Sequence, residues 1–128
     1  MIYILENAVP ILAATLAGLL FGALYLRLAA LPARGPGFLL TAFIAQAWFA
    51  AILAGALILA PAKGAPWVMA IGTAVVIWAG FIMPATIVTL RARRIAASAV
   101  TLDCLYWLIV MLIQAIVLKS IGLVAPSA

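Results

Sequence analysis

The sequence predicts an all-α integral membrane protein, a single four-helix bundle built from two antiparallel hairpins. Three observations predict it. The first is composition. Of 128 residues, 71% are hydrophobic and 7% are charged, against roughly 45–50% and about 25% in soluble domains. Seven basic and two acidic residues cannot clothe an apolar core in a polar surface, and the same scarcity of polar groups excludes a disordered chain. The second is run length. A helix that rises about 1.5 Å per residue needs about 20 apolar residues to cross a hydrocarbon layer of about 30 Å. Four stretches supply them, at about 8–31, 38–60, 67–90 and 99–123. The third is punctuation. Pro32 to Gly37, Pro61 to Pro66 and Arg91 to Arg94 separate the stretches, and such Pro, Gly and Arg clusters stop helices and mark the lipid–water boundary. A β-barrel needs alternating polarity in runs of about 10 residues, which these continuously apolar stretches lack.

The first stretch opens with Asn7, a good N-cap, and Pro10, tolerated in a first turn. Ala14, Gly18 and Gly22 recur every four residues, the small-residue spacing that lets helices approach closely in lipid. Glu6 precedes this stretch, while Arg27 and Arg34 follow it. A secretory signal carries its positive charge first, so the helix is expected to be retained. In the second stretch Ala47, Ala51 and Gly55 mirror the spacing of the first, which predicts that the two helices pack together. Trp48 and Trp78 lie about ten residues into their helices, near the midplane. An indole N–H there has no water to receive it, so both rings are expected to face another helix or a cavity. Pro84 removes a backbone hydrogen bond and predicts a bend in the third helix.

Charge gives orientation. Arg27, Arg34, Arg91, Arg93 and Arg94 fall on one side of the four spans, and Lys63 and Lys119 on the other. The positive-inside rule puts the arginine side in the cytoplasm. The expected location is the bacterial cytoplasmic membrane, with both termini outside. The basic balance is therefore a topology signal. A nucleic-acid surface would need basic residues interleaved with polar and aromatic ones, and none is expected.

Few residues can carry chemistry. With no His, the chain has neither an imidazole base nor an imidazole metal ligand. Neither a metal, a cofactor nor a catalytic residue is expected, and the balance leans against an enzyme. Asp103 is the main candidate, an acid about one turn inside the fourth helix. Ionisable groups in spans face the bundle or a water-filled cavity and usually have a partner. Arg27, at a similar depth, is the favoured partner, with the third-loop arginines as alternatives. A carboxylate in the first turns of a helix also complements its dipole. Gln46 and Gln114 are candidate buried polar residues, suited to interhelical hydrogen bonds or to a substrate. Cys104 has no disulfide partner in this chain, and no base to activate it.

Trp78-Ala79-Gly80-Phe81-Ile82-Met83-Pro84-Ala85-Thr86, the arginine loop, and Asp103 with Tyr106-Trp107 resemble a bacterial membrane family catalogued as domain of unknown function 1761. Gly22-Ala23-Leu24-Tyr25 is similar to that family's small-residue and aromatic motif. The resemblance covers nearly the whole chain and implies four spans, but no activity. Members often have a longer first loop. It draws attention to Pro84, Asp103, Tyr106 and Trp107, with Tyr25 and Arg27, as one candidate cluster on the cytoplasmic half. Taken together, the residues favour a non-enzymatic accessory, assembly or small-subunit protein of a membrane complex. The alternative is a small transporter or channel, dimeric in one version, using Asp103 and the buried glutamines. Expected partners are the lipid bilayer and either a second copy or a larger complex.

Overall fold

The computed structural model describes residues 2–32 and 34–126. Among them every regular element is helical, in the order α1 (Ile2–Glu6), α2 (Ala8–Leu28), α3 (Pro36–Leu59), α4 (Pro66–Ile77), a π-helical turn (Trp78–Ile82), α5 (Met83–Ala92) and α6 (Ala97–Ile121). Four helical spans are long and apolar enough to cross a membrane: Ala8–Leu28, Pro36–Leu59, Pro66–Ala92 and Ala97–Ile121. This is the fold of a multi-pass membrane protein. Helix α2 packs on both α6 and α3, and the third span lies along α6.

The first span ends at Leu28, three residues earlier than the apolar run suggests. Ala30 adopts a left-handed φ of 53°, and Leu31 N–H donates to the Leu26 carbonyl at 3.0 Å. Arg94, φ 61°, repeats the device after α5, where Ile95 N–H donates to the Leu90 carbonyl at 3.0 Å. Such left-handed caps normally use glycine, because a Cβ is strained there. Ala30→Gly is therefore expected to raise stability by up to about 1 kcal/mol, read as an upward shift in thermal midpoint.

At the opposite end, Asn7 sits between α1 and α2, and its side chain does not cap α2. It is 1% exposed. Its Nδ2 donates to the carbonyls of Val124 (2.8 Å) and Tyr3 (2.9 Å), and its Oδ1 accepts from Val124 N–H (2.7 Å). The amide imitates a backbone pair and fastens the segment after α6 to the start of α2. Asn7→Ala breaks all three bonds, but Val124 is exposed and water can reach its backbone. A loss of about 1 kcal/mol is expected in detergent unfolding.

The third span is not one regular helix. Met83 N–H bonds the Trp78 carbonyl, five residues back. Pro84 has no N–H to offer, and its ring would collide with the carbonyl four residues earlier. The widened turn relieves both problems, so the irregularity expected at Pro84 takes the form of a π turn just before it. Trp78 heads that turn, and its indole N–H donates to the Cys104 carbonyl of α6 at 2.8 Å, as a midplane indole requires. Trp48 behaves otherwise. It is 57% exposed on the outer face of α3. Depth along a helix does not fix the face, and a span that is apolar all round gives no periodicity to reveal it. Trp78→Phe should cost about 0.6–1.7 kcal/mol of stability, the range of single interhelical hydrogen bonds in lipid.

Candidate intramembrane cleft

Helices α2, α3 and α6 and the loop before α3 border a cleft of about 750 Å³ at the arginine end. Its rim holds Arg34 and Gly35, and its inner limit is Leu19 and Gln46. Gln46 is ten residues into α3, so the cleft runs roughly 15 Å inward, half the hydrocarbon thickness. Most of the wall is apolar. Polar groups lie on the α2 and α6 side (Tyr25, Asp103, Tyr106), on α3 (Thr41, with Gln46 at the inner end) and at the rim (Arg34).

Asp103 is half-buried, and its Oδ1 accepts a hydrogen bond from the Tyr25 hydroxyl at 2.5 Å. The favoured Arg27 partnership does not form. Arg27 is exposed, and residues two apart on a helix point about 200° away from each other. Only one of Tyr25 and Arg27 can face α6, and Tyr25 does. The third-loop arginines do not take its place: Arg91 is spent on the Ile95 carbonyl at 3.0 Å. No cationic side chain pairs with Asp103 among the described residues. Above it in α6, Cys104 is buried.

The aromatic rings form a continuous wall. Tyr25 stacks on Tyr106 with centroids 4.4 Å apart, and Phe21 stacks on the same ring at 5.7 Å. Tyr106 meets Trp107 edge-on at 5.0 Å, and Trp107 stacks on Phe49 at 5.2 Å. These offset and edge arrangements are the ones aromatic quadrupoles prefer.

Behind Tyr106 the polar line continues into the bundle. Gln46 Nε2 donates to the Tyr106 hydroxyl at 3.4 Å, and Gln114 Nε2 donates to the Gln46 backbone carbonyl at 3.3 Å. Both bonds are long. Gln46 is 3% exposed and Gln114 is fully buried, yet neither Oε1 has a partner. The small residues of α2 make room for these groups. A Cβ at Gly18 would run into Gln46 Oε1, and one at Gly22 would come within 2.9 Å of the Tyr106 hydroxyl. The glycines thus admit polar side chains. Gly55 does the same for Tyr3, whose hydroxyl donates to the Ala51 carbonyl at 3.0 Å.

Of the candidate cluster, Tyr25, Asp103, Tyr106 and Trp107 meet in this cleft, with Gln46 at its inner end and Gln114 behind it. Arg27 and Pro84 do not join them; both are exposed, and neither lines the cleft. Phe21, Gly18 and Gly22 were not singled out as site residues by their sequence context, although the spacing of the glycines was visible. Fold and site together define a four-span membrane protein with an intramembrane cleft lined by aromatic rings and one carboxylate. Comparison with known protein families, curated proteins and solved structures finds no match.

Proposed function

We propose that this protein is a small ligand-binding membrane protein of the carrier or channel type, and that the cleft is its binding site. The observation that carries the reading is a carboxylate, free of any cationic partner among the described residues, on the wall of a cleft that reaches the midplane. Ionisable groups placed inside spans mark ligand or ion pathways. A pocket of about 300–1,000 Å³, mostly apolar with a few convergent polar groups, is the usual form of a small-molecule site. The positive-inside rule supports a cytoplasmic opening in a bacterial inner membrane. Membership of the domain of unknown function 1761 family belongs to the same proposal, since residues that carry that resemblance, among them Tyr25, Asp103, Tyr106 and Trp107, share the cleft.

The test is accessibility. Ala45 lines the cleft, whereas Ile44, at the same depth, is 59% exposed on the outer face. In a Cys104→Ala background in lipid nanodiscs, a charged methanethiosulfonate reagent should modify Ala45→Cys at least tenfold faster than Ile44→Cys. Equal, slow rates at both positions would mean that lipid tails fill the cleft, and the carrier reading would fall.

A second reading, a small subunit of a membrane complex, is favoured by the third span. Only 6% of its apolar stretch is buried, against 28%, 28% and 33% for the others, which leaves most of its surface free for a partner helix. A lone monomer by native mass measurement, with no co-purifying protein, would overturn it.

A further inference from the structure

We infer that the ligand of the cleft is a monovalent, lipophilic organic cation, with Asp103 as its counter-ion and the Tyr25–Tyr106–Trp107 wall as its ring platform. The inference rests on the reading of the cleft as a binding site and adds the class of ligand.

Charge complementarity is the first argument. Asp103 is the sole acidic residue lining the cleft, and it is held by a neutral donor, the Tyr25 hydroxyl. A hydroxyl orients a carboxylate without neutralising it, so a negative charge in an apolar wall is left for a cation to balance. Arg34 also lines the cleft, but it sits at the rim in the loop before α3. There water and headgroups screen it, whereas Asp103 is six residues inside α6, about 9 Å from its start.

The wall is the second argument. Tyr25 and Tyr106 stack 4.4 Å apart, and Trp107 adjoins Tyr106 at 5.0 Å. Tyrosine and tryptophan faces attract cations within about 6 Å, and more strongly when water is excluded. The three rings already spend face area on one another, on Phe21 and on Phe49, so a cation meets the ring surface that the stack leaves open to the cleft, beside the Asp103 counter-charge. The same site is poor for divalent metal ions. Calcium takes 6–8 oxygen ligands, and magnesium retains several waters in a strict octahedron. One carboxylate, one amide and the hydroxyls of Tyr25, Tyr106 and Thr41 do not make such shells, and Leu19, Leu26, Phe38 and Leu39 in the remaining wall would not solvate them.

The test uses tetraphenylphosphonium as cation and tetraphenylborate as an anion of matched size. Binding to the full chain in phosphatidylcholine nanodiscs is measured by equilibrium dialysis, with empty nanodiscs subtracted. The phosphonium should bind saturably and slow the modification of Ala45→Cys at least fivefold, leaving Ile44→Cys unchanged. Asp103→Asn keeps an acceptor for Tyr25 and should weaken binding at least tenfold. Tyr106→Leu, which removes the central ring, should weaken it severalfold. Unchanged affinity in Asp103→Asn overturns the inference, and so does borate binding as tightly as the phosphonium. The second comparison needs only the unmodified protein, so a folding defect in a variant does not blunt it. If Ala45→Cys is modified quickly but no phosphonium binds, the cleft remains a site and the cation class is wrong.

Discussion

Gly18→Leu should prevent the bundle from assembling, and Gly18→Ala should already lower the unfolding midpoint well below that of the parent. The place where a Cβ would go at Gly18 is taken by Gln46 Oε1, and Gln114 Nε2 lies 3.3 Å from it. Neither amide can step aside easily. Gln46 is 3% exposed and Gln114 is fully buried, and Gln46 is also tied to the Tyr106 hydroxyl. Overpacking of one or a few methyl groups costs about 1–3 kcal/mol. Alanine at 18 falls in that range, and leucine lies beyond it, because its branches would have to enter the α2–α3–α6 junction. Intrinsic tryptophan emission followed through a thermal ramp in detergent measures the shift. Pairing Gly18→Ala with Gln46→Ala vacates the contested volume, so the double variant should be more stable than Gly18→Ala alone. A Gly18→Ala protein with an unchanged midpoint would mean that α2 does not sit this close to Gln46.

This prediction shows which parts of the molecule the sequence disclosed. The spacing of Ala14, Gly18 and Gly22 was plain, and so was the close approach it implies. What approaches was not. Small residues in lipid usually admit a neighbouring backbone, whereas here they admit Gln46, Gln114 and Tyr106. The spans were legible because apolar run length is a one-dimensional property. Azimuth is not, in helices whose every face is apolar. That is why Trp48 faces outward when its depth suggested a neighbour, and why Tyr25 meets Asp103 in place of Arg27. The helix ends were blurred for a local reason. Ala30 and Arg94 hold left-handed caps normally signalled by glycine. The clasp between Asn7 and Val124 joins residues 117 positions apart, beyond any pattern read along the chain. Asp103 was legible through its rarity alone, and the aromatic wall beside it only through the placing of Tyr25, Tyr106 and Trp107 on facing helices.

Gln114→Met is expected to stabilise the protein. Gln114 is fully buried at the core of the bundle, its Oε1 has no partner, and its one donated bond, to the Gln46 carbonyl, is long at 3.3 Å. A buried polar atom left without a partner costs about 1–3 kcal/mol, while a weak hydrogen bond returns about 0.5–1.5. Methionine nearly matches the shape, removes the orphaned oxygen and packs flexibly. The difference favours the variant by about 1 kcal/mol, or several degrees in midpoint for a chain of this size. A buried amide that costs the fold stability points to a use other than folding, since functional groups commonly carry such a cost. Gln114 reaches the cleft only through Gln46, whose backbone carbonyl it holds from behind and which lines the inner end. The stabilised variant should therefore gain less in midpoint from saturating tetraphenylphosphonium than the parent does. A lower midpoint in Gln114→Met would instead make the amide a structural link between α3 and α6, with its oxygen paired in solution by a water held among the three helices.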